Sequence, residues 1–250
     1  AQGKRLLAVA GTHGKTTTTA ALAHILTVTG RDPTCVVGGV LQDWGTNARV
    51  GQSDLFVLEE DEYDRTFLSL SPWLGVVTTV EHDHPDCYPT AEDMEEAFAK
   101  FVYRCRKTLL GTDDPGVARV MGRVPGAQVL GYGHDPQASW RLLSVEEREA
   151  GTGFCFQDPE GDEHEAWVRL WGQHSVSNSL AAIAMATEAG VPATEAARAL
   201  ASFSGVARRF TVTGPLGGVY LVDDYAHHPT AIRAMVAAAR QRFPGRRLVV

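Results

Sequence analysis

The sequence predicts an α/β fold: a P-loop-containing, mostly parallel sheet flanked by helices, with a small antiparallel subsheet, followed by the beginning of a second domain. Three observations support this prediction. Apolar strand patterns alternate with helical patterns over residues 4–107, which is typical of a parallel sheet covered on both faces. Short alternating strands separated by Gly, Pro and Asp fill residues 127–170, as in an antiparallel sheet. A strand–helix–strand pattern follows from residue 211.

The first half of the chain begins with a buried strand and a helix. Lys4–Ala10 is predicted as the strand and Thr16–Thr29 as the helix, which Gly30 ends. Three further apolar runs predict strands: "TCVVGG", "DLFVLEE" and "GVVTTVEHDH". Apolar residues at helical spacing predict a helix over Ala91–Lys107.

The second half contains the antiparallel strands and the domain boundary. The strands are "AQVLGYG", "SWRLLSV", "TGFCFQD" and "EAWVRLW", and the helices that follow are Val176–Ala189 and Ala193–Phe203. After a boundary near Ser204–Phe210 come the strands "TVTG" and "GVYLVDD", a helix over Thr230–Arg242 and a final strand, "GRRLVV". We therefore expect one domain over residues 1–207 and the beginning of another over residues 208–250. Because the chain starts and stops on strand patterns, we expect a fragment of a longer protein.

Composition and charge narrow the function classes. The 250 residues are 44% hydrophobic and 21% charged, and 23 basic against 30 acidic side chains give a net charge of −7. This charge argues against a nucleic acid partner, which usually requires a basic surface. No apolar run approaches the roughly 20 residues that span a bilayer, so we expect no membrane partner. The four cysteines are widely spaced and contain no CxxC pair, which favours a reducing, cytoplasmic location.

The stretch "GTHGKTTTT" lies between the first strand and the first helix. In this context backbone amides and a helix N-terminus hold a polyphosphate, and Gly11 and Gly14 permit the tight turn. Lys15 is predicted to reach the β- and γ-phosphates, and the Thr16 hydroxyl to bind Mg²⁺. Val9 stands where the general consensus has its first glycine, so a structural helix start is the alternative.

Two further polar clusters follow predicted strands. Ligands bind outside the carboxyl ends of strands in open α/β sheets, and carboxylates suit Mg²⁺. In "VLEEDEYD" the metal ligand is expected to be Glu59, and a solvated acidic loop is the alternative. In "VVTTVEHDHPDCY", Asp83 and His84 are expected to face the same cleft, whereas a structural or solvated histidine is the alternative. Spacing typical of zinc enzymes is absent.

Two clusters lie later in the chain. In "WGQHSVSNSLAAIAMA", Asn178 has an amide that suits a purine edge, and an N-cap network of Ser175 and Ser177 is the alternative. In "ARRF", Arg208 and Arg209 suit phosphate. The segment "VDDYAHHPT" combines acidic, aromatic and histidine side chains at a strand end, a density that is uncommon in a structural turn.

These five segments, in this order, resemble the Mur ligases, the ATP-dependent amide-forming enzymes of peptidoglycan precursor synthesis. The resemblance covers almost the whole chain, and "GTHGKTTT" with "DDYAHHPT" resembles the branch that adds L-alanine to UDP-N-acetylmuramate. It implies that residues 208–250 begin a Rossmann-like domain. It also implies that ATP phosphorylates the muramoyl carboxylate, and that the amine of L-alanine attacks the acyl phosphate.

The resemblance also implies residue roles. The catalytic residues would be Lys15, His84, His227 and His228, and the Mg²⁺ ligands would be Thr16, Glu59 and His84. The ATP site would comprise Gly11, Thr12, His13, Gly14, Lys15, Thr16, Thr17, His174, Asn178, Arg209, Asp224 and Tyr225. Ser175 departs from the family pattern, which commonly has asparagine after the histidine.

Other functions stay open at the level of the sequence. A ligase that attaches recycled murein tripeptide to UDP-N-acetylmuramate has the same motifs. A folylpolyglutamate synthase-like ligase shares the plan but fits "DDYAHHP" poorly. From different classes, a P-loop hydrolase or switch and a non-catalytic nucleotide-binding module remain. The fragment itself is expected to bind ATP·Mg²⁺ weakly without completing ligation, and its oligomeric state stays open.

Overall fold

Ten strands of one sheet and five helices come first along the described chain, and a two-stranded hairpin with one helix follows. The structure is a computed structural model that describes residues 3–250, so residues 1 and 2 of the predicted first domain lie outside it. The strands are β1 Arg5–Ala10, β2 Thr34–Leu41, β3 Thr46–Arg49, β4 Leu55–Glu59, β5 Leu74–Val77, β6 Thr108–Gly111, β7 Val129–Gly133, β8 Trp140–Arg148, β9 Gly151–Gln157, β10 Glu163–Val168, β11 Thr211–Leu216 and β12 Val219–Asp223. The helices are α1 Lys15–Val28, α2 Ala91–Arg104, α3 Pro115–Arg123, α4 Gln173–Glu188, α5 Ala193–Leu200 and α6 Pro229–Arg242, with a 3₁₀ segment at Tyr63–Ser69.

The sheet confirms the predicted α/β class. Its strand order is β10-β9-β8-β7-β6-β5-β1-β4-β2-β3. The seven strands from β8 to β2 in that order pair in parallel, whereas β3 at one edge and β9 and β10 at the other pair antiparallel. The predicted antiparallel subsheet is therefore a continuation of the main sheet. Its first predicted strand, "AQVLGYG", belongs to the parallel part as β7.

Helices cover both faces of the sheet, and β1 shows why. Leu7 and Val9 of β1 pack into the core shared with α1, α4 and α5. Leu6 and Ala8 pack into the opposite core, with α2 and α3. Successive side chains of a strand point to opposite faces, so an unbroken apolar run buries both. Each fully buried leucine stabilises the fold by about 1.5–3 kcal/mol.

The helices begin in two different ways. Thr90 caps α2 through a capping box with Asp93, and Asp114 caps α3, whose first residue is Pro115. These caps satisfy amide groups that a helix start leaves without partners. By contrast, within the described chain α1 follows Gly14 and α4 follows Gly172 without a side-chain cap. The amides of the first turn of α1 therefore stay available to a ligand.

The segment that contains β11, β12 and α6 contacts the rest of the chain through α6 and through the linker that precedes β11. Gln241 of α6 accepts a hydrogen bond from the Gly172 N–H at 2.7 Å and donates to Thr152 Oγ1 at 3.0 Å. In the linker, Val206 bridges to Leu41 at the end of β2. The predicted final strand is wrong: across residues 3–250, β11 and β12 pair with each other, and residues 246–250 form no strand.

Candidate functional site

Three neighbouring strands bring the polar clusters of the first domain together. β1 lies between β4 and β5, so the loop after β1, Glu59 at the end of β4 and Thr78 after β5 meet at one edge. Within residues 3–250 the predicted site residues other than Gly11 line one cavity of about 710 Å³. They are Thr12, His13, Gly14, Lys15, Thr16, Thr17, Glu59, His84, His174, Asn178, Arg209, Asp224, Tyr225, His227 and His228.

The loop after β1 is held in a conformation that requires glycine at two positions. Gly11 has φ +133° and Gly14 has φ +84°, values that favour glycine. A Cβ at Gly11 would overlap the Thr78 hydroxyl, and one at Gly14 would overlap the Asn178 side-chain oxygen. Gly11 therefore allows close packing beneath the loop, while Gly14 allows a left-handed turn directly before α1.

Lys15, the first residue of α1, forms an ion pair that the sequence does not reveal. Its Nζ lies 2.7 Å from Oε1 and 2.5 Å from Oε2 of Glu62. The Glu62 side chain is 2% exposed and that of Lys15 is 16% exposed, so the pair is largely shielded from water. Glu62 also accepts a hydrogen bond at its backbone oxygen from the hydroxyl of Tyr88, which is itself buried. A phosphate that binds Lys15 must compete with this carboxylate.

Thr16 and Glu59 form the oxygen-rich part of the site. The Thr16 hydroxyl donates to Glu59 Oε1 at 2.7 Å, and the Gly38 N–H donates to Glu59 Oε2 at 2.6 Å. The Arg209 guanidinium lies 3.4 Å from the Thr16 hydroxyl. A hydroxyl and a carboxylate in contact are the hard oxygen donors that Mg²⁺ prefers beside substrate phosphates. These residues fit Mg²⁺.

His84 lies beside Glu62 and Asp83. Its Nε2 is 3.9 Å from Glu62 Oε1 and 3.9 Å from Asp83 Oδ2, and its ring meets that of Tyr63 edge to face at 5.2 Å. His84 has φ +54°, a left-handed conformation that is uncommon for histidine and often occurs at functional sites. The predicted metal ligands thus form a Thr16–Glu59 pair, with His84 positioned beside Glu62.

The α4 segment faces the loop from the other side. Asn178 lies within α4 and is 7% exposed. Its side-chain amide packs against Gly14, the residue that precedes α1. The helix begins at Gln173, three residues before the predicted start, and the Ser175 hydroxyl donates back to the Trp171 carbonyl at 2.8 Å. Ser175 and Ser177 therefore lie inside α4, and the alternative N-cap network is wrong. His174 is exposed at the cavity.

Arg209, just before β11, and the segment after β12 also line the cavity. Tyr225 is 51% exposed, and the guanidinium groups of Arg208 and Arg209 lie 5.0 and 5.3 Å from its ring centre. The Asp224 carboxylate accepts hydrogen bonds from the backbone amides of Phe210 and Ala226 at 2.8 and 2.7 Å. Asp224 therefore fixes the linker to the segment that carries Tyr225. The exposed His227 lines the cavity, with Nδ1 2.9 Å from the Tyr225 carbonyl.

A second cluster, His13–Glu81–His228, connects the loops after β1 and β5 with the start of α6. His13 Nε2 lies 2.8 Å and His228 Nδ1 lies 3.5 Å from Oε2 of Glu81, whose Oε1 accepts from the Thr230 hydroxyl at 2.9 Å. Burial raises the pKa of the Glu81 carboxyl, but the hydrogen bonds from His13 and Thr230 and the His228 charge outweigh it and hold the pKa below its ordinary value.

Sequence reasoning missed Glu62 and Glu81 as members of the site. Both lie inside motifs that were singled out, "VLEEDEYD" and "VVTTVEHDHPDCY", each of which follows a strand next to β1. Their position in a motif was therefore available as a signal. Their partners were not, because Lys15 is 47 residues from Glu62 and His13 is 68 residues from Glu81.

Comparison with known proteins identifies the family to which the chain is similar. A family model described as the Mur ligase middle domain matches residues 9–186, and one described as the Mur ligase glutamate ligase domain matches residues 208–250. The chain is 44% identical over 242 residues to a UDP-N-acetylmuramate–L-alanine ligase of Sorangium cellulosum, covering 96% of this chain and 51% of the relative. A ligase of the same name from Roseiflexus sp. is 43% identical, with 100% and 57% coverage.

Solved structures agree with the sequence matches. The UDP-N-acetylmuramate–alanine ligase MurC of Thermotoga maritima superposes with a TM-score of 0.83 and 28% identity, covering 96% of this chain and 55% of that one. A murein peptide ligase of Psychrobacter arcticus superposes with a TM-score of 0.76 and 27% identity, with 98% and 56% coverage. The chain spans about half the length of these relatives. Over residues 3–250, every helix is too short or too polar to cross a membrane.

Proposed function

The chain belongs to the Mur ligase family, and we propose that it is the ATP-binding part of a ligase that adds L-alanine to UDP-N-acetylmuramate. The observation that carries this proposal is the single cavity that joins Lys15, Thr16 and Glu59 to the "DDYAHH" segment of the second domain. Relatives that carry this activity in their names match nearly the whole chain, but the chain spans about half of them. The activity and both substrates are therefore proposals.

The phosphates of ATP would bind at the start of α1. Its uncapped amide groups favour an anion, and Lys15 would exchange the Glu62 carboxylate for the β- and γ-phosphates. Thr16 and Glu59 would hold Mg²⁺, which would supply neutralising charge to the transferred phosphoryl group. Arg209 lies close enough to Thr16 to add a second positive charge. His84 would contribute beside Glu62 to a second metal ion or its water.

The second domain would close the site over the nucleotide and the acceptor. Tyr225 offers an exposed aromatic face that two arginines hold in place, which suits stacking on a base. His227 is exposed in the same cavity and would lie near the muramoyl group. The reaction would form an acyl phosphate on the muramoyl carboxylate, and attack by the amine of L-alanine would release phosphate. Fixed positive charge near the transferring phosphoryl group is the main contribution expected from the protein.

The ATP site can be tested on this chain alone. Lys15→Met should weaken ATP·Mg²⁺ binding by at least about tenfold, because it removes the charge that meets the phosphates. Lys107→Met is the matched control, since Lys107 also pairs with a glutamate, Glu188 at 2.8 Å, but lies outside the cavity. Isothermal titration calorimetry measures both. Equal affinities for the two variants would contradict the assignment of Lys15.

The ligase activity requires a full-length protein that contains this chain. ADP release is expected to depend on both UDP-N-acetylmuramate and L-alanine, and this chain alone should bind ATP·Mg²⁺ without completing ligation. ATP turnover that ignores both acceptors would instead favour a hydrolase or switch. Robust L-alanine-dependent ADP release from this chain would contradict its proposed role as a part.

A second candidate is the ligation of recycled murein tripeptide. It is favoured by the similarity to the Psychrobacter arcticus murein peptide ligase, with a TM-score of 0.76. Supplying the tripeptide instead of L-alanine to the full-length protein separates the two candidates. We also propose the domain division at residues 207 and 208 and a cytoplasmic reaction, where ATP and nucleotide sugars are present.

A further inference from the structure

The His13–Glu81–His228 cluster connects three segments from two domains. His13 belongs to the loop before α1, Glu81 follows β5, and His228 is the residue that precedes α6. One nitrogen of each histidine and one oxygen of Glu81 lie within 4.8 Å of one another. All three side chains are partly exposed, at 23%, 37% and 24%, so an ion in solution can reach them.

The spacing of the donor atoms resembles that of a metal site. Oε2 of Glu81 lies 2.8 Å from His13 Nε2 and 3.5 Å from His228 Nδ1. Bonds of about 2.0–2.2 Å in tetrahedral geometry place neighbouring ligand atoms about 3.3 Å apart. Small movements of side chains would therefore bring His13, Glu81 and His228 to bonding distance of one ion. Two imidazole nitrogens with a single carboxylate match Zn²⁺, whereas Mg²⁺ prefers oxygen ligands.

Hydrogen bonds around the cluster already orient its ligands. The Thr230 hydroxyl occupies Oε1 of Glu81, which leaves Oε2 facing the histidines. The Thr12 hydroxyl accepts from the Glu81 N–H and donates to the Glu81 carbonyl, both at 3.0 Å, and so fixes that backbone. The His13 N–H donates to Thr79 Oγ1 at 2.9 Å. Such outer contacts are the usual support of a metal ligand set.

His228 approaches the same carboxylate from the start of α6. Its Nδ1 lies 3.5 Å from Glu81 Oε2 and 3.4 Å from the Thr230 backbone nitrogen. His13 Nε2 lies 2.8 Å from the same Oε2, so both histidines present a ring nitrogen to one carboxylate oxygen.

We propose that His13, Glu81 and His228 form a binding site for Zn²⁺ or a similar divalent transition metal, distinct from the Mg²⁺ site at Thr16 and Glu59. The ion would replace the direct contact between His13 Nε2 and Glu81 Oε2 with a bond from each of these atoms to the metal. Because the ligands come from both domains, the bound ion fixes the start of α6 against the loop before α1. The site does not depend on which ligation reaction the protein performs.

Metal binding can be measured directly on this chain with Co²⁺ as the probe. Excess Mg²⁺ is included to occupy the oxygen ligands. One equivalent of Co²⁺ should bind with a visible absorption band that Zn²⁺ abolishes. His228→Ala should weaken the binding by more than about 100-fold, since it removes a ligand. His134→Ala is the matched control, because His134 pairs with Asp113 at 2.9 Å outside the cavity.

A second variant keeps the test decisive if His228→Ala does not fold. Thr230→Val retains all three ligands but removes the hydroxyl that orients Glu81, and it should weaken Co²⁺ binding by about 10–100-fold. In the unaltered chain, Zn²⁺ should also slow amide hydrogen exchange in α6. Unchanged Co²⁺ affinity in the His228 or Thr230 variant would overturn the proposal and place the ion elsewhere, for example at a cysteine. The absence of any Co²⁺ binding would overturn it as well.

Discussion

The Lys15–Glu62 ion pair makes a prediction that separates stability from nucleotide binding. Lys15→Met removes the cation but keeps a side chain of similar length and shape. It leaves the Glu62 carboxylate, which is 2% exposed, without its main partner. A buried charge that loses its partner is more costly than the pair itself is stabilising. Removing Lys15 should therefore destabilise the fold, although the same lysine is expected to serve a ligand.

The geometry sets the expected size of this effect. Both oxygens of Glu62 contact the Lys15 ammonium, at 2.7 and 2.5 Å, and the His84 ring nitrogen lies farther away, at 3.9 Å. We expect Lys15→Met to lower the free energy of unfolding by about 3 kcal/mol. For a chain of this size the melting temperature should fall by about 6–12 °C. Glu62→Gln should cost less, about 1–2 kcal/mol, because Lys15 is 16% exposed and can reach water.

A double-mutant cycle by urea denaturation tests the argument. The Lys15→Met/Glu62→Gln chain should be about 2 kcal/mol more stable than the sum of the single effects predicts, because neither charge is left alone. It should still bind ATP·Mg²⁺ poorly. The control cycle uses Lys107 and Glu188, which are 37% and 19% exposed and should show a coupling below about 1 kcal/mol. Additive effects at Lys15 and Glu62 would refute the reasoning.

Two further predictions concern the same fold. Gly14→Ala should lower the free energy of unfolding by about 3 kcal/mol in urea denaturation, because the alanine would be held at φ +84° and its Cβ would overlap the Asn178 side chain. Adding Asn178→Ala should relieve the overlap but not the backbone strain. Glu95 is 3% exposed; burial raises its pKa, but hydrogen bonds from two arginines of α3 outweigh it and lower the pKa. Its stabilisation is therefore fully present above pH 4.5 and is lost progressively as the pH falls below that value. Glu95→Gln should cost about 1–2 kcal/mol at pH 7 and less at acidic pH in a pH series of denaturation curves.

Much of the fold was predictable because its signals are local. The apolar run before Gly11 predicted the bounds of β1 to within one residue, and Gly30 correctly predicted where α1 ends. The α4 start was missed because Gln173 and His174 begin the helix with polar residues and without a side-chain cap in the described chain. The strand expected over residues 245–250 does not form among the described residues, for a different reason. A strand needs a neighbouring strand to pair with, and an apolar run in the sequence does not show whether one is present.

The site shows the same difference between features that local patterns predict and contacts that are distant in sequence. Thr16 and Glu59 were predicted as one metal site because each follows a strand, and the parallel sheet places those strand ends together. The pairing of Lys15 with Glu62 depends on side-chain direction across 47 residues, which no local pattern encodes. The contact between Glu81 and Thr230 spans 149 residues and two domains. Sequence reasoning therefore identified the segments of the site but not the pairs within it.

The contrast between helix starts links these observations to function. Side chains satisfy the first amides of α2 and α3, which lie away from the cavity, so those ends serve stability alone. The start of α1 has no such cap among the described residues, and its first side chain, Lys15, is held by a buried carboxylate. The positive charge of Lys15 is therefore balanced by Glu62, while the first amides of α1 receive no side-chain cap. A polyphosphate that binds there would contact both the amides and the lysine, so we expect it to compete with Glu62 for Lys15. This competition predicts that Glu62 weakens anion binding at the start of α1.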